Sequence, residues 1–229
     1  MTRAARPSAA PRDISHVIVL GNPDAASFSH AVANAYRDAV IECGQQAVVR
    51  DLYAMHFDPL LKADERPGRR GTAPAADVVG EIDLVRDASV ITLVYPLWYG
   101  LPPAIIKGYI DRVLGAGFSA RDIVAGSSHG LLHGKRFMSF SSSASTRPWL
   151  EEHGQWVSIR QALDTYLATI FALEEGGHVH FDAIVEGVSE QYVAECLADV
   201  RERARRTCSH LLSNRHHQRQ RALLHTERL

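Results

Sequence analysis

Short runs of consecutive apolar residues alternate along this chain with longer segments in which apolar residues recur every three or four positions. Five segments are expected as strands, at residues 16–21, 47–52, 90–95, 135–141 and 178–181, and the first and third are the most continuously apolar. Nearly continuous apolar runs of this length are typical of parallel strands that are buried on both faces. The segments between them predict amphipathic helices, as the spacing of Val32, Tyr36 and Val40 illustrates. Regular alternation of this kind predicts an α/β protein.

The helices are expected at about residues 29–43, 75–86, from Pro102 or Pro103 onward, 157–173 and 189–212. Parallel strands need crossover connections, which are almost always right-handed. Five strands joined in this way favour the flavodoxin-like order 2-1-3-4-5, a parallel sheet with helices on both faces. In such a sheet, ligands bind outside the carboxyl ends of the strands, where the strand order reverses. The loops after strands one, three and four are therefore the places to look for a site.

With 229 residues, the chain fits one domain with a sizeable core. We expect a disordered leader at residues 1–13, a single domain at 14–212 and a basic, disordered tail at 213–229. The longest apolar run, residues 89–99, is shorter than the roughly 20 residues that a membrane span needs. Together with the lack of a signal-peptide pattern, this favours a cytoplasmic protein with no membrane insertion.

The basic end of the chain raises the question of a nucleic-acid partner. Residues 201–229 contain eight arginines, two glutamates and four histidines. We expect no nucleic-acid binding, because no aromatic residue is interleaved with the arginines as a stacking platform would require. The histidine spacing does not match a metal site, and the three cysteines are too far apart for a disulfide frame or a zinc site, so no metal is predicted.

The loop after the first strand, residues 21–29, is made mostly of small residues and runs directly into a helix. Unpaired amides at a helix start, with the hydroxyls of Ser27 and Ser29, could hold a phosphate. An ordinary capped helix is the alternative. The loop lacks both the glycine fingerprint of dinucleotide folds and the lysine of a phosphate-binding P-loop.

The other two loops differ sharply in character. Residues 96–100 place Trp98 and Tyr99 at the end of a central strand, where their rings suit a planar ligand, although such residues could also be core. Residues 141–146 are small and polar, so their amides could approach the pyrimidine edge of an isoalloxazine, although a flexible surface loop would look the same. His153 is a candidate proton donor, with a solvated histidine as the alternative.

Two motifs carry a resemblance to a known family. Residues 51–59 read Asp-Leu-Tyr-Ala-Met-His-Phe-Asp-Pro, and residues 95–113 read Tyr-Pro-Leu-Trp-Tyr-Gly-Leu-Pro-Pro followed by Ala-Ile-Ile-Lys-Gly-Tyr-Ile-Asp-Arg-Val. Gly21-Asn22-Pro23 with Ser27-Phe28-Ser29 is a weaker match. Over about residues 17–212, the chain resembles the flavodoxin-like NAD(P)H dehydrogenases (quinone), which include the quinone reductases and the ancillary oxidoreductases of potassium-efflux systems.

The resemblance implies a flavin site and assigns its residues in three groups. The flavin phosphate would contact Asn22, Ser27, Phe28 and Ser29. The ring and ribityl chain would lie along Pro96, Leu97, Trp98 and Tyr99. The pyrimidine edge would meet Ser142, Ser143, Ala144 and Ser145, where the family often has glycines, and Trp149 and His153 would be the counterparts of a tyrosine and a histidine near the hydride acceptor.

The resemblance also implies a reaction. Hydride would pass from NADPH or NADH to bound FMN or FAD and on to a quinone or similar small acceptor by a ping-pong mechanism, in a homodimer. Asn22 stands where the family usually has histidine, so the choice between FMN and FAD stays open. The alternatives are a flavin-binding regulatory subunit of a membrane potassium-efflux system and a one-electron flavodoxin-type carrier. Such carriers are usually strongly acidic, whereas the net charge here is only -1.

Overall fold

The chain folds around one parallel sheet. The computed structural model describes residues 13–66, 74–118, 121 and 130–226. The five strands are β1 (Ser15–Leu20), β2 (Gln46–Asp51), β3 (Val90–Pro96), β4 (Arg136–Ser142) and β5 (Glu174–Phe181). Their order is β2-β1-β3-β4-β5, with all neighbours parallel. The predicted flavodoxin-like fold is therefore confirmed.

Helices cover both faces of the sheet. Those with described bounds are α1 (Phe28–Glu42), α2 (Ala76–Asp87), α3 (Ala104–Tyr109), α4 (Arg147–Glu152), α5 (Gln155–Ile159), α6 (Tyr166–Phe171) and α7 (Glu190–Thr226). A π-helical turn, Ile110–Leu114, follows α3, and another, Arg160–Thr165, joins α5 to α6.

Alternate residues of β1 point into two separate cores, which is why its apolar run is unbroken. Val17 and Val19 pack in the core that includes α2, α3 and α6. Ile18 and Leu20 pack in the core formed with α1 and α7. Since both faces are covered, every position of the strand must be apolar or have a buried partner.

Three element boundaries differ from the sequence-based expectation. Strand β5 begins at Glu174 rather than at residue 178, and its first residues are partly exposed, which hides them from a hydrophobicity pattern. The helix expected at residues 157–173 is divided by a π-helical turn, and α4 was not anticipated. The leader, apart from Asp13, lies outside the described residues.

The C-terminal helix corrects the predicted start of the tail. Instead of ending near residue 212, α7 continues to Thr226, so residues 213–226 are helical rather than disordered. The segment lacks glycine and proline, and a helix that is already anchored by packing against α1 extends at little cost. Residues 227–229 lie outside the described part of the chain.

The buried histidine of β1 predicts a pH-dependent stability. His16 is fully buried between the Tyr36 hydroxyl (3.0 Å) and the Gln45 side-chain oxygen (2.9 Å), and burial lowers the pKa of His16 to about 4. In the unfolded chain the pKa of this histidine is near 6.5. Between about pH 6.5 and pH 4, the unfolded chain therefore binds a proton that the folded protein does not bind. This contribution, about 3 kcal/mol, is therefore present above pH 6.5 and lost as the pH falls towards 4.

Urea unfolding between pH 4.5 and 7 would measure that dependence. We expect the pH profile to be flatter in a His16→Gln variant than in the wild type. His210→Gln, which changes an exposed histidine, is the matched control and should leave the profile unchanged. Parallel profiles for the wild type and His16→Gln would contradict the prediction.

Candidate active site

Backbone hydrogen bonds bring the loops after β3, β4 and β5 together at one rim of the sheet. The Leu97 amide donates to the Ser142 carbonyl (2.7 Å), and the Ser143 amide donates to the Phe181 carbonyl (3.1 Å). Each bond continues the parallel pairing by one residue beyond the strands. The aromatic loop and the serine loop therefore leave the sheet side by side.

The aromatic loop is a tight turn that projects its side chains outward. The Trp98 amide donates to the Leu101 carbonyl (2.9 Å), and the Leu101 amide donates back to the Trp98 carbonyl (3.1 Å). Both central residues, Tyr99 and Gly100, have positive φ values of 52° and 80°, as a type I′ turn requires. The Tyr99 side chain is fully exposed and that of Trp98 is 42% exposed, so neither is a core residue.

An open cleft of about 650 Å³ lies between this turn and the serine loop. The volume is within the range of small-molecule and cofactor sites. Its wall consists of Leu97, Trp98, Tyr99, Gly100, Ser143, Ala144, Ser145, Trp149, Leu150 and Gln155. Two of the three predicted loops thus line one cleft.

The serine loop offers hydrogen-bond donors to this cleft from a fixed backbone. The Ser143 and Ser145 carbonyls accept from the amides of Ile184 (2.9 Å) and Ala183 (3.3 Å). Among the described residues, the amides of Ala144 and Ser145 donate to no other protein group. Anchored carbonyls and unpaired amides suit a ligand edge that carries carbonyl or anionic oxygens, such as the pyrimidine edge of a flavin.

The first loop lies at the same edge of the sheet, but its residues are not part of the described cleft wall. Asn22 is nearly buried and its side-chain amide contacts the Ser29 hydroxyl at 3.3 Å. The Ser27 hydroxyl caps α1 by accepting from the His30 amide (3.4 Å). The Phe28 ring packs edge-on against Phe181, with centroids 5.3 Å apart. The loop therefore has the capped-helix geometry, with the amides of the first helical turn still pointing out of the helix end.

The two predicted catalytic residues are adjacent but differ in position. Trp149 lines the cleft and is 49% exposed. The His153 ring stacks on the Trp149 ring with centroids 4.1 Å apart, and its Nδ1 lies 2.8 Å from the Trp149 carbonyl oxygen. His153 is exposed and does not belong to the cleft wall. Its predicted role as a proton donor stays a prediction.

Three wall residues were not predicted from the sequence: Gly100, Leu150 and Gln155. Gly100 was the one with a signal, since glycine after an aromatic pair suggests a turn with positive φ. Gln155 donates to the Gly100 carbonyl at 2.6 Å and closes the cleft between α5 and the aromatic turn. No local sequence pattern around Gln155 indicates a contact with Gly100, which lies far away along the chain.

Metal clusters and membrane-spanning helices are both missing from the described residues. Within the part of the chain that the structure describes, no three His, Cys, Asp or Glu side chains are grouped so that they could hold a metal ion. In the same residues, no helix combines the length and the apolar character that a bilayer crossing demands.

The family follows from comparison with known proteins. Residues 15–204 match the model of the family described as having a flavodoxin-like fold. An uncharacterized NAD(P)H oxidoreductase from Haemophilus influenzae is 36% identical over 151 residues, which cover 66% of this chain and 74% of the relative. The chain therefore belongs to the flavodoxin-like NAD(P)H oxidoreductases, and the predicted family resemblance is confirmed.

Two more distant relatives extend the comparison. NAD(P)H dehydrogenase [quinone] 1 from Rattus norvegicus is 31% identical over 121 residues, which cover 45% of this chain but only 44% of the rat protein. The solved structure of an NAD(P)H:quinone oxidoreductase from Methanothermobacter marburgensis superposes with a TM-score of 0.68 at 23% identity, covering 84% of this chain and 95% of the other. The latter likeness supports the fold.

Proposed function

We propose that this protein is an NAD(P)H-dependent flavin oxidoreductase that passes two electrons to a quinone or similar small acceptor. The observation that carries the proposal is the cleft in which an exposed aromatic turn faces an anchored loop with unpaired amides. The names of the Haemophilus and rat relatives agree with this chemistry. Because those relatives carry oxidoreductase names, a regulatory subunit of a potassium-efflux system is not favoured.

Each part of the cleft would have a separate role. The aromatic turn from Pro96 to Tyr99 would hold one side of a flat ring, and the amides of Ala144 and Ser145 would bind oxygens at the ring edge. Outside the described cleft wall, the start of α1 would hold the phosphate with Asn22, Ser27, Phe28 and Ser29. When bound, FMN or FAD would supply the redox chemistry, while the protein supplies position and electrostatics.

The remaining features of the reaction are also proposals. The open cleft leaves room for NADPH or NADH and the acceptor to use the same place in turn, which is the ping-pong scheme. Trp149 would stack on whichever of them is bound, with His153 behind it. A homodimer is the assembly that the family resemblance implies, and we propose that it is cytoplasmic.

An absorbance spectrum tests the proposal directly. We expect the purified protein to be yellow, or to become so when FMN or FAD is added, and to bleach when NADPH or NADH is added without oxygen. Adding a quinone should restore the colour. A colourless protein that binds neither flavin would overturn the proposal.

Trp98→Ala is expected to weaken flavin binding by about 1–3 kcal/mol, because the ring forms part of the turn that would contact the ligand. Fluorescence titration with FMN and FAD would measure the change. Tyr166→Ala, which removes an aromatic ring that is 56% exposed on α6 away from the cleft, is the matched control. Equal flavin affinity in Trp98→Ala and Tyr166→Ala would show that the aromatic turn does not contact the flavin.

A further inference from the structure

A chain of hydrogen-bonded side chains, which we call the polar chain, crosses the protein beneath the cleft. It consists of Asp164, His178, Ser141, His180 and Ser143. The links are Asp164 Oδ2 to His178 Nδ1 (2.8 Å), His178 Nε2 to Ser141 Oγ (2.6 Å), Ser141 Oγ to His180 Nδ1 (2.8 Å) and His180 Nε2 to Ser143 Oγ (3.1 Å). Ser143 then donates to the Ser145 carbonyl in the cleft wall (2.9 Å).

Strand register places these groups side by side. In the pairing of β4 with β5, Ser139 lies opposite His178 and Ser141 lies opposite His180. Because side chains alternate along a strand, the serines and histidines share one face of the sheet. The Trp156 ring covers both histidines, with centroids 4.9 Å from His178 and 5.4 Å from His180.

All five hydrogen bonds of the polar chain can form at once only when the chain holds one proton more than an ionised carboxylate and two neutral imidazoles provide. Its five hydrogen bonds each need one hydrogen. With the carboxylate ionised and both imidazoles neutral, each histidine and each serine supplies one hydrogen, so one bond lacks its hydrogen. A single added proton on Asp164, His178 or His180 completes every bond. The proton can therefore move among these three groups without breaking the chain.

The two ends of the polar chain reach two different pockets. Asp164 lies in a π-helical turn beside a small pocket of about 20 Å³, which has room for a water molecule. Ser143, at the other end, lines the cleft. The middle is sealed, since the His178 side chain is only 1% exposed and Ser141 is 2% exposed.

We propose that the polar chain is a proton relay, which holds one mobile proton and delivers it from the pocket at Asp164 to the Ser143 side of the cleft. The inference rests on the proposed function, whose overall reaction is NAD(P)H + H⁺ + quinone → NAD(P)⁺ + quinol. NAD(P)H supplies two electrons and one hydrogen nucleus as hydride, so one further proton must come from solution. Once ligands fill the cleft and exclude water, the Ser143 hydroxyl turns from the Ser145 carbonyl to the bound acceptor, gives up its proton and takes another from His180 Nε2. Protons shift along the chain behind it, and Asp164 takes one from water in the pocket.

The charged groups around the relay are consistent with a mobile proton. Arg160 and Glu175 flank the pocket, and Asp182 and Arg147 lie on the His180 side, where the Arg147 guanidinium lies 4.8 Å from the Trp156 ring. Burial, with the charge of His178 as a second cause, lowers the pKa of His180 to about 4. A proton on His180 is therefore weakly held, which favours its transfer onward over storage there.

Nitrogen NMR of the imidazole rings tests the relay without any flavin. In the wild type, we expect the ¹⁵N shifts of His178 and His180 to change with pH at one shared midpoint, because the two rings share a single proton. Ser141→Ala interrupts the chain between them and should give two separate midpoints. Ser139→Ala, the same change two residues earlier on β4, removes a contact to Asp164 (3.2 Å) and one to Tyr95 but leaves every link of the polar chain in place. It is the matched control and should keep the shared midpoint. Separate midpoints in the wild type, or a shared one in Ser141→Ala, would overturn the relay.

Stopped-flow measurements on the flavin-loaded protein test delivery. We expect Ser141→Ala, which changes a buried residue outside the cleft wall, to slow reoxidation by quinone at pH 8 by at least about tenfold, whereas its reduction by NAD(P)H, which consumes no proton, keeps its rate. Ser139→Ala should leave both rates unchanged. If the Ser141→Ala variant is reduced by NAD(P)H and then reoxidised by quinone at the wild-type rate, proton delivery through the polar chain is overturned. The proposed function would stay intact. A protein that binds no flavin would defeat both proposals.

Discussion

Arg112→Met is expected to destabilise the protein by about 3–5 kcal/mol, which is a large part of the stability of a typical domain. The Arg112 side chain is fully buried, and it forms ion pairs with Glu65 (2.8 Å) and Asp77 (2.9 Å). It also donates to the Asp58 carbonyl at 2.5 Å. Methionine fills most of the volume but leaves the buried Glu65 carboxylate without a cation. Urea unfolding at pH 7 would measure the loss.

Lys107→Met on the preceding helix is the matched control for that measurement. Lys107 pairs with Asp111 at 2.6 Å, but its side chain is 63% exposed, and exposed pairs contribute little. We expect its effect to stay within about 1 kcal/mol. A similar loss of stability in Arg112→Met and Lys107→Met would show that burial does not make the Arg112 ion pairs more stabilising than an exposed pair.

The same cluster gives the prediction a pH signature. Hydrogen bonds from Arg112 lower the pKa of Glu65 and of Asp77 below their ordinary values. Because the unfolded chain binds protons more readily at these groups, their contribution to stability is present above their unfolded pKa, near 4, and is lost as the pH falls further. The difference between the wild type and Arg112→Met should therefore shrink in acid.

Gly100→Ala is expected to weaken flavin binding by about tenfold to a hundredfold. Gly100 has a φ of 80°, a conformation that costs an alanine roughly 1–2 kcal/mol. A Cβ there would also lie only 2.8 Å from the Gln155 side-chain amide carbon, so either the Gln155 side chain gives up its bond to the turn or the aromatic turn shifts away from α5. Both changes alter the cleft wall where the ring would bind. Titration with FMN and FAD, alongside a far-UV spectrum of the protein, would measure the effect.

Two further variants separate the causes. Gly187→Ala has a similar φ of 79°, and its Cβ would meet nothing within 4 Å, so it reports backbone strain away from the cleft. We expect it to lower stability and to leave flavin affinity unchanged. In Gly100→Ala/Gln155→Ala the clash is removed, so part of the affinity should return. If Gly187→Ala weakens flavin binding as much as Gly100→Ala, the geometry of the aromatic turn does not decide affinity.

Close packing brings the two resemblance motifs into contact. Gly108 lies against Pro59, and a Cβ on Gly108 would come within 2.4 Å of the Pro59 Cα. The Asp58 carbonyl accepts from Arg112, which lies one turn beyond Gly108. The first motif is therefore the surface against which the second motif packs, and together they set the position of α3 behind the aromatic turn.

Local sequence determined the fold and two walls of the cleft. Unbroken apolar runs such as that of β3 can be stable only as strands covered on both faces, and the helical segments between them fix a parallel sheet. Since ligands of such sheets bind at the carboxyl ends of the strands, the order of residues along the chain was enough to indicate Trp98 and Ser143. The first loop was assigned by the same rule, and its part in ligand binding stays a prediction.

Only the tertiary structure decided how distant polar residues meet. Asp164, the Ser141 hydroxyl and the two β5 histidines form one chain because the register of β4 against β5 and a π-helical turn bring them into contact. Register depends on packing over the whole sheet, and a shift of one residue would turn the histidines to the other face. Gln155 and Arg112 likewise acquire their roles from partners far away in sequence, which no local pattern records.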